Sequence, residues 1–102
     1  MADSVVFEWL SDSLERRTGL SRMQARGTLR LALHEVGLES VRLSAGQARV
    51  LLQRVLPDQL RARGIADGEA ACAEIVEQLT RAGLPPPALD TPEAFVERTR
   101  KR

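Results

Sequence analysis

Few side chains here have the chemistry for catalysis, and their spacing does not assemble them. The 102 residues hold one histidine, His34, and one cysteine, Cys72. A metal centre built on this pair would need carboxylates or a second chain to complete it. A nucleophile activated by His34 would need a serine presented on a tight turn, and no Gly-x-Ser-x-Gly stretch supplies one. The stretch "GIADG" has neither the length nor the Lys-Ser/Thr ending of a phosphate-binding loop. Cys72 falls on the same apolar stripe as Ile75 and Leu79, where a thiol acts as a small hydrophobe. The sequence is therefore expected to carry no catalytic residue, no metal and no cofactor.

What stands out instead is a row of cations. Arg22, Arg26, Arg30 and His34 follow one another at intervals of four, which on a helix gives a slowly drifting stripe. Such a row suits a nucleic-acid backbone or an acidic protein surface. The net charge of +1 hides this, because the middle of the chain is basic and both flanks are acidic. Carboxylates in 3–15 and 67–77 can also neutralise the row from within the molecule. The only tryptophan, Trp9, falls at the edge of its helix's apolar arc, a position open to use as an interface anchor. Trp9, Arg22, Arg26 and Arg30 are the candidate partner-binding residues.

The elements that must hold these residues are helices. Aromatic residues make up 3% of the chain, so Leu, Val and Ala must fill the interior, and Leu and Ala favour helix. Gly19, Gly37, Gly64 and Gly83 each follow a stretch of helical periodicity, where a left-handed residue commonly ends a helix. They predict four helices, over 4–17, 22–36, 45–57 and 68–82. The inward residues expected of them include Phe7, Leu10, Leu29, Leu33, Val36, Leu51, Ile75 and Ala82, while Glu8, Asp12 and Glu15 form a solvated face. Pro57 should kink the third helix or open a short new one, because proline lacks the amide donor. Asp67 is the expected N-cap of the fourth.

Two heptapeptides, "LSRMQAR" from Leu20 and "LSAGQAR" from Leu43, agree at five of seven positions. Capping explains the likeness: Ser21 with Gln24, and Ser44 with Gln47, each make a capping box, and the leucine before each serine can act as a staple. Between helices, "GLESVRLS" allows a short strand near Val41 to Leu43, with Ile65 in a comparable place for pairing.

The fold class expected is thus all-α: a compact bundle of four main helices, a Pro kink after the third and a short C-terminal tail helix. Residues 1–84 form the bundle; 85–102 form a Pro-rich segment and basic tail, in which Thr91 and Pro92 cap a helix carrying Phe95. No apolar run reaches the ~20 residues that span a bilayer. The acidic N-terminal stretch is unlike a secretion signal, so the expected location is cytoplasmic. The function expected is a non-catalytic protein–protein interaction module of adaptor or regulatory kind. The alternative is a nucleic-acid-binding helical domain that uses the arginine stripe, and a third reading is a homodimer that covers apolar surface left by so small a core.

Overall fold

In the computed structural model, which describes residues 3–85, the chain is all-helical with five α-helices. They are α1 (Val5–Thr18), α2 (Arg22–Glu35), α3 (Ala45–Arg54), α4 (Leu56–Ala62) and α5 (Gly68–Ala82), with a 3-10 turn at Ser40–Arg42 between α2 and α3. The starts follow the sequence closely. Ser21 and Ser44 both form complete capping boxes with Gln24 and Gln47. Ser4 caps α1 by accepting from the Phe7 amide at 3.1 Å, and its hydroxyl donates to the Leu43 carbonyl at 2.9 Å. Asp67 precedes α5 but makes no side-chain cap bond, so that end relies on backbone geometry alone.

Pro57 does more than kink the third helix. It ends the amide ladder, the chain breaks at Val55, and α4 begins as a separate element with Pro57 in its first turn. Of the two outcomes expected at Pro57, the new short helix forms, so the described residues hold five α-helices in place of four main ones with a kink. The strand expected near Val41 to Leu43 is also replaced. The Arg42 amide donates to the Glu39 carbonyl, and the Ser40 carbonyl accepts from the Ser4 amide at 3.0 Å, leaving no ladder for a partner strand. Ile65, expected to pair with that strand, closes a helix instead, as does Leu38. Each follows a left-handed glycine, Gly37 at φ 75° or Gly64 at φ 85°, and its amide donates five residues back, to the Leu33 or Leu60 carbonyl. Both then pack against the core.

Packing places α5 against α1, α3 and α4, while α2 lies on α1 and α4. Phe7, Leu10, Leu14, Leu29, Leu51, Leu52, Leu56, Leu60 and Ile75 are almost wholly buried, and Leu20, Ala25, Leu43 and Ala48 join the same cluster, as the staple pattern implies. Val36 and Ala82, expected inward, are exposed. Val36 stands past the last turn of α2 and Ala82 is the final residue of α5, so neither has a neighbouring helix to cover it. The tail helix, Phe95 and the Pro-rich segment from residue 86 onward lie outside the described residues. No helix of the described residues is long and apolar enough to cross a membrane.

Gly68 is fixed by close approach of α4. A Cβ there would stand 2.8 Å from the Leu60 Cβ, closer than such atoms come, whereas a Cβ on Gly27 in α2 would meet nothing within 4 Å. The two glycines should respond oppositely to alanine. Gly68→Ala should lower stability by about 1–2 kcal/mol, as overpacking costs about 1–3 kcal/mol and helix preference offsets less than ~1. Gly27→Ala should raise it by about 0.5–1 kcal/mol. Urea midpoints of the two variants at equal slope measure both effects.

Candidate interaction surface

The arginine row starts from the position of α2 in the bundle. Its inner stripe, Ala25, Thr28, Leu29, Ala32 and Leu33, is buried, so the opposite face looks outward. At about 100° per residue the cations do not sit on the centre of that outer face but along the border nearest α1. Arg26 is drawn inward. Its guanidinium donates to Glu8 at 2.8 Å and to Asp3 at 2.8 Å, and its side chain keeps 23% exposure. Arg30 donates to the same Asp3 carboxylate at 3.0 Å and to the Ser40 hydroxyl at 3.3 Å. Both guanidinium groups lie over the Phe7 ring, with Arg26 5.2 Å and Arg30 4.8 Å from its centroid. They roof a core aromatic while meeting two carboxylates.

Glu8 thus joins an ion cluster, because α2 packs on its side of α1, while 44% of its side chain stays exposed. Asp12 remains exposed and Glu15 half-buried. Arg22 makes no ion pair among the described residues and is exposed. His34 is exposed too, beside a small depression of about 210 Å³ shared with Arg30, Leu33, Leu38 and Ser40. Trp9 is half-buried and packs against the core on another side of α1, so the structure does not bring it to the arginine row.

The centre of the outer face belongs to residues that the charge pattern does not reveal. Met23 is 82% exposed and Leu31 49%. Gly27 stands between them at intervals of four, giving a second row parallel to the arginines. Arg22, Met23, Arg26, Gly27 and Arg30 line a shallow, open depression of about 520 Å³. The signal for it was present in the sequence as a glycine inside a helix flanked by two large apolar residues on the polar side.

Electrostatics fix the cluster. Burial pushes the Asp3 carboxyl up, but the Ser40 hydroxyl, the Arg30 hydrogen bond and the charges of Arg30 and Arg26 together hold it below its ordinary value. Glu8 is held low chiefly by its hydrogen bond from Arg26. Elsewhere, burial with a contribution from Glu69 pushes the Cys72 thiol up to about 11. No group of three or more His, Cys, Asp or Glu side chains among the described residues could hold a metal ion. No protein-family model matches this chain, and comparison with curated proteins and with solved structures finds no significant match.

Two measurements check these assignments. A carboxyl with a lowered folded pKa stabilises the fold above about pH 4 and loses that contribution as pH falls through the folded pKa. Asp3→Asn should therefore cost roughly 1–3 kcal/mol at pH 7, and its stability gap to the wild type should narrow as pH falls through the lowered folded pKa of Asp3. Cys72, neutral and buried, should resist iodoacetamide at pH 8 in the folded chain and react in urea; fast alkylation without denaturant contradicts its placement.

Proposed function

We propose that this chain is a non-catalytic protein–protein interaction module, an adaptor or regulator, that meets its partner through the outer face of α2. The observation that carries the reading is Met23, 82% exposed beside an open depression on a helix whose opposite face is fully packed. An apolar side chain so exposed, bordered by arginines, has the composition of an interface anchor with a polar rim. A non-enzymatic role is supported by the separation of the two reactive side-chain types, since His34 is exposed on α2 and Cys72 is buried in α5 with its thiol raised. The single cysteine also suits a reducing compartment, which supports a cytoplasmic location.

The nucleic-acid alternative draws less support. Arg26 and Arg30 spend hydrogen bonds on Asp3, Glu8 and Ser40, which leaves fewer of their donors for a phosphate backbone. Arg22 alone of the three arginines makes no ion pair among the described residues.

Affinity capture from nuclease-treated cell extract tests the reading, with the wild type and Met23→Glu as baits. A protein retained by the wild type should be lost by the variant while circular dichroism stays unchanged. A turnover abolished by His34→Ala or Cys72→Ser would overturn the non-catalytic assignment. Retention that vanishes with nuclease and falls steeply with salt would favour the nucleic-acid alternative.

A further inference from the structure

This inference deepens the interaction reading and rests on it. We propose that the outer face of α2 seats an acidic amphipathic helix of a partner protein, which crosses Gly27 between Met23 and Leu31 and sets carboxylates against Arg22 and Arg30.

Gly27 supplies the first argument. Glycine in a helix interior costs stability relative to alanine. Here packing within the chain does not require it, because an added Cβ meets nothing within 4 Å. Its effect is to flatten the helix between two exposed apolar side chains, where the backbone of a second helix can approach closely. Met23 and Leu31 then stand on either side of the crossing, at the spacing that an i, i+3, i+4, i+7 stripe engages.

Charge supplies the second argument and selects the occupant. Three guanidinium groups border the apolar row; of the two carboxylates that reach them, Asp3 is drawn inward with 12% side-chain exposure and Glu8 keeps 44%. Arg22 is without an ion-pair partner among the described residues, and Arg30 keeps half of its side chain, 50%, exposed. Arg22 and Arg30 therefore leave positive charge on the rim toward a visitor, and acidic flanks complement it there.

A second copy of this chain fits less well. Two α2 helices packed antiparallel about Gly27 bring arginine row beside arginine row. Packed in parallel, each row meets Gln24, Leu31 and Glu35, and that one carboxylate already accepts from the Gln59 amide at 2.9 Å. A nucleic-acid strand leaves the Met23 and Leu31 row without a role.

The test uses the full chain and three probes. One is a helical peptide with leucine at alternating three- and four-residue spacings and glutamate on both flanks; the second is its twin with lysine for glutamate; the third is a short DNA duplex. Amide chemical shifts report the site. The acidic peptide should bind, with the largest shifts at residues 22, 23, 27 and 31. Arg22→Glu and Met23→Glu should each weaken it by about tenfold or more with the helical content intact, as expected for a rim charge and an anchor. Equal binding of the lysine twin, preferential binding of the duplex, shifts centred elsewhere, or no binding at millimolar peptide overturns the proposal. So does a dimer in light scattering whose formation Met23→Glu abolishes. If a cellular protein is still captured in a Met23-dependent way while the acidic peptide fails, this inference falls and the interaction module stands; if both fail, both fall.

Discussion

Two guanidinium groups lying over one phenylalanine ring hold the first two helices together. Phe7 is the one phenylalanine among the described residues, and it is wholly buried, yet its ring is covered by Arg26 and Arg30 and not by hydrocarbon side chains alone. A cation over a ring is favourable, but a guanidinium so placed must also satisfy its N–H groups. Asp3, Glu8 and Ser40 do this, and no buried side-chain nitrogen or oxygen among the described residues lacks a hydrogen-bond partner. Removing Asp3, the most covered member, would leave Arg26, Arg30 and Ser40 without their shared acceptor, so these positions are coupled. The start of α1, the middle of α2 and the turn before α3 are all positioned by it.

That arrangement changes what the arginine row is. At the level of sequence it is a drifting stripe suited to a nucleic-acid backbone or an acidic partner, or to neutralisation by the acidic flanks. In three dimensions two of its members form a roof over the core, and the positive field that remains toward solvent comes mainly from Arg22 and the outer edge of Arg30. The apolar row of Met23, Gly27 and Leu31 then becomes the centre of the outer face, with the cations as its border. In the proposed role, apolar contact supplies area and the charges on its border discriminate among occupants.

Much of the fold was legible because capping chemistry is local. Ser21, Gln24, Ser44 and Gln47 define helix starts within four residues of chain, and both boxes form. The glycine stops are equally local, since a left-handed residue is needed wherever the last amides fold back. What could not be read depends on distance. Asp3 meets Arg30 across 27 residues, and no pattern in a short window pairs them. The strand-like look of Val41 and Ile65 failed for a related reason, because alternation does not reveal whether a backbone group is already taken. Pro57 announced a break, but whether it bends a helix or starts one depends on how α4 is received by α5. Among the candidate site residues, Arg22, Arg26 and Arg30 do share one face, Trp9 is elsewhere, and Met23 and Gly27 were hidden by their neutrality.

The hydroxyl of Ser4 has two duties at once. It accepts the amide that begins α1 and donates to the carbonyl of Leu43, just before the serine that begins α3. One oxygen thus fastens the starts of two helices 39 residues apart in the chain. Fraying of either end releases the other, so the amides at both should exchange with solvent through a common opening, and the first turn of α1 is part of the cooperative unit in place of being its loose edge.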